Sequence, residues 1–374
     1  MSQNLPHRDF KIKAPNGCTT PRVLLSLLAG SVGMALSVPA PALELSVYGV
    51  GHLSADSIDT DDDSSGYIHS NSSRLGIKGS HGVGNGAAIL FQYESGVDLT
   101  GKGTGDGNGG ANSDGQLFTR ARDSYVGVKG GFGTVLFGRL GGLNQWLYDY
   151  NLFADQVGDL GNIWGGDGLP GRTDHAAWYR TPSFGGATLA LTYVPDQGTN
   201  DANAYIGKVE YGNGGIKLGG AFANFGNGSG STDTKVAAMT ASYDAGAFSV
   251  GGGWQRETGI GGISNADRDK YTLGATVKLG SSGTVKAQYT KADDLDNTSN
   301  TSADQWALGY DYAWDKNTTL YVAYASTDND AGARYTSYNY GHGDQGVPGL
   351  ASGSQPSAIS VGVVYKFDVG VWPR

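Results

Sequence analysis

The sequence predicts an all-β protein in which sixteen antiparallel strands close into a barrel, and three observations support this prediction. Apolar residues fall on every second position in many segments of about ten residues; tight turns alternate with long polar connections; and no long apolar run follows residue 42. A period of two gives each strand one apolar and one polar face. The segment lengths match the ~9 to 11 residues with which a tilted strand crosses a bilayer. We therefore expect a transmembrane barrel.

The last predicted strand shows the alternation most clearly. Its apolar face consists of Ile359, Val361, Val363, Tyr365 and Phe367. Its other face consists of Ser360, Gly362, Val364 and Lys366. The sixteen predicted strands are 44–55, 70–80, 87–97, 117–129, 134–140, 175–182, 187–196, 203–212, 215–225, 233–243, 247–257, 268–279, 283–293, 303–314, 318–328 and 357–367.

The connections between these strands differ in length in a regular way. Tight turns such as Gly130–Gly133 and Asp244–Gly246 follow the even-numbered strands, and longer stretches rich in Asp, Asn, Ser and Gly follow the odd-numbered ones. Short turns on one side and long loops on the other are typical of outer-membrane barrels. A soluble barrel or sandwich has no reason to sort its connections in this way.

The first 42 residues have the composition of a cleaved signal peptide. Four basic residues precede the apolar run Val23–Val38, and Ala40 and Ala42 form a small-x-small cleavage site. We predict cleavage before Leu43, which also removes Cys18, the one cysteine of the chain. The full chain has a formal net charge of −9, and loss of this basic segment makes the remainder more acidic. Such a charge disfavours nucleic acid as a partner.

One long segment, residues 141–174, interrupts the regular series of strands. A connection of this length with little secondary-structure signal is usually functional or disordered. Its Trp, Tyr, Leu and Ile content argues against disorder. We therefore predict that it is a long third extracellular loop folded into the lumen, where it narrows the pore.

Several stretches of the chain resemble the general porins of Gram-negative bacteria, which are trimers of sixteen-stranded barrels. The matching stretches are SVYGVG (46–51), SSRLGIKG (72–79), FQYESG (91–96), YVGVKGGFGTVLFGR (125–139), AAWYRTPSFGG (176–186) and SAISVGVVYKF (357–367). The resemblance implies an outer-membrane homotrimer that passes ions and small hydrophilic solutes. Its surroundings would be outer-membrane lipid and lipopolysaccharide. It also implies a barrel domain over 43–367 and a short tail over 368–374.

The resemblance further implies a basic cluster on the barrel wall opposite the inserted loop. The arginines that match are Arg74, Arg139 and Arg180; Val50 stands where some members carry a lysine. Lys78 shares a strand face with Arg74. Placing an arginine side chain in the lipid midplane would destabilise the barrel by ~2 to 4 kcal/mol, so we expect this face to line the aqueous lumen. The acidic counterparts on the loop would come from Asp149, Asp155, Asp159 and Asp167.

No pattern in the sequence indicates catalysis, a cofactor or a metal site. The histidines have no metal-ligand spacing, and the glycine-rich runs are not followed by helices as nucleotide loops are. Two alternatives to a general porin are a substrate-specific channel and a secreted adhesin or glycan-binding protein. In the first, Trp146, Tyr148, Tyr150, Phe153 and Trp164 would form an aromatic slide. The acidic loops favour cations in the pore, whereas the arginine cluster opposes them.

Overall fold

The computed structural model describes residues 43–61, 63–100, 118–141, 149–165, 167, 169, 171–199, 201–343 and 350–372. The predicted signal peptide lies outside these residues. The described chain consists almost entirely of strands, with one short helix, α1 (Gly161–Trp164), and one 3₁₀ turn at Ile260–Gly262. None of the helices in these ranges is long and apolar enough to cross a membrane.

Eighteen hydrogen-bonded segments form the wall. They are β1 (Leu43–Asp59), β2 (Ser64–Ser70), β3 (Arg74–Gly84), β4 (Ala87–Val97), β5 (Phe118–Ala121), β6 (Ser124–Gly130), β7 (Gly133–Gly141), β8 (Arg172–Arg180), β9 (Ala187–Val194), β10 (Ala204–Asn213), β11 (Ile216–Phe225), β12 (Thr234–Asp244), β13 (Phe248–Thr258), β14 (Arg268–Leu279), β15 (Gly283–Ala292), β16 (Ala303–Ala313), β17 (Thr318–Asn329) and β18 (Ser357–Trp372).

These segments occupy sixteen positions around a closed antiparallel ring. β2 and β3 together make one position, because both pair with β1, through Leu53↔Ser70 and Val50↔Arg74. β5 and β6 share a second position beside β4. Every other strand pairs with its neighbours in sequence, and β18 pairs back onto β1. The predicted sixteen-stranded barrel is confirmed.

Two strands extend further than the sequence predicts. β1 continues to Asp59 and turns within a few residues into β2, in a stretch that we expected to be a loop. β18 continues past Phe367 to Trp372, so residues 368–372 are strand rather than tail. They pair with the start of β1, for example Val369 with Val47. Both extensions complete the pairing of β1, the strand at which the ring closes.

The two faces of the wall differ in composition and burial. On β14, Leu273 is 61% exposed, whereas Thr272, the residue before it, is 6% exposed. The same contrast holds on β18, where Ile359 and Val361 are exposed and Ser360 is buried. The apolar face is therefore the outer one, and the polar face lines the lumen.

We expect truncation after Phe367 to destabilise the barrel. It removes the β1 partners of Leu45–Tyr48 and the contact of 2.6 Å between Lys78 Nζ and Asp368 Oδ2. With about one backbone hydrogen bond for each of these four residues of β1, at ~0.5 to 1.5 kcal/mol apiece, the loss amounts to roughly 2 to 6 kcal/mol. The temperature at which the folded form disappears on an SDS gel should fall.

The variant Asp368→Asn is the control for this truncation. It removes only an ion pair between half-exposed side chains, worth at most about 1 kcal/mol. A truncated chain as heat-resistant as the full one would show that the pairing of residues 368–372 contributes nothing.

Candidate functional site

Part of the segment between β7 and β8 lies against the inner wall. The Tyr150 hydroxyl donates to the carbonyl oxygen of Gly274 at 2.8 Å, and Gln255 Nε2 donates to the carbonyl oxygen of Trp164 at 3.0 Å. These partners sit on β14 and β13. Phe153 and Trp164 are fully buried, on the side of the sheet opposite the exposed apolar face. We call residues 149–165 of this segment the inner loop.

Small residues on the wall make room for the aromatic side chains of the inner loop. A Cβ on Gly253 would come within 2.8 Å of the Trp164 ring, and one on Gly309 within 2.8 Å of the Phe153 ring. The apolar clusters that receive the loop also contain the buried wall alanines Ala204, Ala223, Ala238, Ala292, Ala303, Ala307, Ala323, Ala325 and Ala358. The loop therefore packs directly on backbone and methyl groups.

Asp159 organises the inner loop from within. Its carboxyl group accepts hydrogen bonds from Asn151 Nδ2 at 2.8 Å and from the backbone N–H groups of Asp155 at 2.8 Å and Gly161 at 2.7 Å. Burial, together with the nearby charge of Asp155, raises the pKa of Asp159 to about 7, although the three donors favour the ionised form. Asp159 is fully buried and is not among the residues that line the cavities beside this loop.

A second loop, between β17 and β18, also enters the lumen, and the sequence analysis did not predict this. The Gly158 N–H donates to the carbonyl oxygen of Ser337 at 2.8 Å, and the Tyr340 N–H donates to Asn162 Oδ1 at 3.0 Å. Tyr338 is 1% exposed. We call its described residues, 330–343 and 350–356, the covering loop. Its closely spaced tyrosines, Tyr335, Tyr338 and Tyr340, resemble the aromatic residues from which the sequence predicted an ordered inner loop, so the same criterion could have identified this loop.

A cavity of about 460 Å³ lies between the inner loop and the wall. Most of its charged lining is basic. The charged residues that line it are Arg74, Arg122, Arg172, Lys286, Lys366, Asp155 and Asp311. Arg74 Nη1 is 3.8 Å from Asp155 Oδ2, so a basic wall faces an acidic loop across a short gap.

Of the four predicted basic residues, Arg74 alone is among the residues that line this cavity. Arg139 contacts Asp174, with 2.5 Å between Nη1 and Oδ1. Arg180 lies 3.2 Å from Glu210 and lines a separate cavity with Asp149. Lys78 pairs with Asp368 and lies further along β3.

The four predicted loop aspartates also lie at different places. Asp155 faces Arg74. Asp149 and Asp167 contact residues outside this cavity, and Asp159 is buried within the inner loop. Asp149 Oδ1 contacts Lys208 Nζ at 2.5 Å, and burial raises the pKa of Asp149 despite that lysine. Asp167 contacts Lys270 Nζ at 2.8 Å. Burial opposes ionisation of Asp167, but Lys270 and Arg268 hold its pKa below the usual range.

Lys366 is a basic residue of the cavity that the site prediction missed. In the strand register Val50 lies between Arg74 on β3 and Lys366 on β18. Lys366 therefore supplies a positive charge beside the position where Val50 replaces a family lysine. The signal was present in the sequence, because Lys366 belongs to the inward face of the last predicted strand.

Comparison with known proteins agrees with this geometry. A family model described as Gram-negative porin matches residues 24–333. Outer membrane porin protein 32 of Delftia acidovorans is 31% identical over 316 residues, which cover 79% of this chain and 84% of that protein.

Two solved structures share the fold. The anion-selective porin from Comamonas acidovorans superposes with a TM-score of 0.72 at 24% identity, covering 87% of this chain and 100% of that one. The trimer form of OmpT from Vibrio cholerae superposes with a TM-score of 0.63 at 18% identity, covering 87% of this chain and 100% of that one. The chain thus belongs to the Gram-negative porin family, and it is an outer-membrane channel for passive diffusion rather than an enzyme.

Proposed function

We propose that the channel is narrowest at the cavity between Arg74 and Asp155, and that this passage prefers anions. The observation that carries the proposal is the charge of the lining, five basic side chains against two carboxylates. Charged side chains around a narrow passage set which ions enter it.

Carboxylates that pair with some of these basic residues weaken the anion preference but do not reverse it. Glu94 contacts Arg122 Nε at 2.6 Å and Asp123 contacts Arg172 Nε at 2.5 Å, but neither carboxylate lines the cavity. Asp311 contacts Lys286 Nζ at 2.9 Å. Within the described residues Lys366 has no ion pair, so its charge is the least compensated. We therefore expect a moderate selectivity, opposite in sign to what the acidic chain as a whole favours.

An aromatic slide for one substrate receives little support. Phe153 and Trp164 are fully buried against the wall, where a solute does not reach them, and Tyr150, which lines the separate cavity with Arg180, is only 8% exposed. Trp146 and Tyr148 lie outside the described residues. Uptake should therefore rise in proportion to solute concentration rather than saturate.

We infer that three chains associate in the outer membrane, surrounded by lipid and lipopolysaccharide. The trimer form of the Vibrio cholerae relative and the exposed apolar outer face support this inference. In a planar bilayer, conductance should rise on insertion in groups of three equal steps, because each chain carries its own channel. Uniform insertion of single steps by purified protein would contradict the trimer.

The variant Lys366→Glu tests the proposed selectivity. It changes the lining from five basic and two acidic residues to four and three. We expect the reversal potential in a salt gradient to indicate anion preference in the parent channel and to move toward cations in the variant. Lys278→Glu makes the same charge change on an exposed residue of β14 away from the cavity, and should leave the potential unchanged. A parent channel that prefers cations would refute the proposal.

Deletion of Gln156–Gly168 tests whether the inner loop obstructs the channel. It removes several of the apolar side chains that pack on the wall, among them Ile163 and Trp164, and leaves the strands intact. We expect a larger single-channel conductance. Deleting Asn227–Gly230, a stretch of the loop that follows β11 and does not line the cavity, serves as the control and should leave the conductance unchanged. Unchanged conductance in the first deletion would place the obstruction elsewhere.

A further inference from the structure

A second polar cluster lies beside the charged cavity. Asp56 on β1, His69 on β2 and His342 in the covering loop are each at most 5% exposed. His69 Nδ1 is 2.6 Å and His342 Nε2 is 3.2 Å from the same oxygen, Asp56 Oδ2. The three residues are far apart in the sequence, so no spacing pattern could have indicated them.

The hydrogen bonds of His342 indicate that a cation belongs in this cluster. His342 Nδ1 lies 3.2 Å from the carbonyl oxygen of Asp155, which can only accept a hydrogen bond. A neutral imidazole that donates from Nδ1 has no hydrogen on Nε2, and Nε2 faces Asp56 Oδ2, another acceptor. Two acceptors at this distance repel each other unless a proton or a metal ion lies between them.

The geometry of the cluster is close to that of a metal site. One candidate ligand atom from each of the three residues lies within 4.8 Å of those of the other two. Tetrahedral coordination at ~2.0 to 2.1 Å places ligand atoms about 3.3 Å apart. The separations of 2.6 and 3.2 Å from Asp56 Oδ2 therefore need adjustments of less than an ångström, and the third separation, between the two histidine nitrogens, is at most 4.8 Å.

The surroundings already hold two of the ligands in place. The contact of His342 Nδ1 with a backbone carbonyl is the arrangement that fixes the tautomer of a metal-binding histidine. Ser54 Oγ donates to Asp56 Oδ2 at 2.9 Å, and Asn71 Nδ2 donates to Ser54 Oγ at 2.8 Å. Asp56 Oδ1 is buried and receives no hydrogen bond from the described residues.

We propose that Asp56, His69 and His342 bind one first-row transition-metal ion, such as Zn²⁺, which fastens the covering loop to the β1–β2 hairpin. Two imidazoles and one carboxylate suit such ions, whereas Mg²⁺ and Ca²⁺ prefer oxygen ligands. An ion can approach from the charged cavity, whose lining includes His52; the ring of His52 lies 6.4 Å from that of His342.

The test is an equilibrium titration of the purified full-length mature protein in detergent, with Zn²⁺ alone competing against a chromophoric chelator. We expect saturation at one ion per chain and no competition from Mg²⁺. His69→Ala and His342→Ala should each weaken binding by more than the ~10- to 100-fold that loss of an outer-shell partner costs. His81→Ala on β3 is the matched control and should bind as the parent does.

Two further measurements separate a loss of metal binding from a loss of folding, and neither depends on transport through the channel. Heat resistance on an SDS gel establishes that each variant retains the barrel. Co²⁺ in the unmodified protein should give the visible absorption of a four-coordinate nitrogen and oxygen site. Unchanged affinity in both histidine variants would overturn the proposal, because the ion would then bind surface carboxylates. Absence of any binding would also overturn it, and would leave a proton between His342 and Asp56.

Discussion

Closure of the β1–β18 pair is the constraint on which the rest of this structure depends. Inside a bilayer every backbone N–H and C=O group needs a partner within the protein, and an open sheet edge leaves a row of them unpaired. β18 meets this demand along nearly the whole of β1, from Ser357 opposite Asp59 to Trp372 opposite Leu45. Once the ring is closed, its polar face can only enclose water or other parts of the chain.

Among the described residues, those of the inner and covering loops occupy part of this enclosed space. The inner loop inserts apolar side chains such as Phe153 among wall alanines, and leaves Asp155 toward the basic wall. The covering loop then holds the inner loop through backbone contacts at Ser337 and Tyr340. The position of Asp155 thus depends on packing that is mostly apolar, in a channel that is mostly polar.

The strands could be predicted from the sequence because lipid on one side and water on the other impose a strict period of two. β2 was missed because neither face of Ser64–Ser70 is regularly apolar. The end of β18 was missed for a different reason. Val369 and Val371 continue the alternation and are exposed like the lipid-facing residues before them, but the resemblance led us to expect an end at Phe367.

The site was less predictable than the wall because it depends on loops without a period. Nothing in the spacing of Asp149, Asp155 and Asp159 shows that the first binds Lys208, the second faces Arg74 and the third is buried. The basic wall could have been derived more fully, since strand register alone places Lys366 near Arg74.

The placement of Lys366 has a consequence for comparing channels of this kind. A permeating ion responds to a charge at a given depth and angle in the tunnel, whichever strand carries it. Val50 and Lys366 are neighbours in space although most of the chain separates them. Two relatives can therefore differ at an aligned position and still present the same distribution of charge to a permeating ion. Ion preference should be compared through the charges on the lumen surface rather than position by position in a sequence alignment.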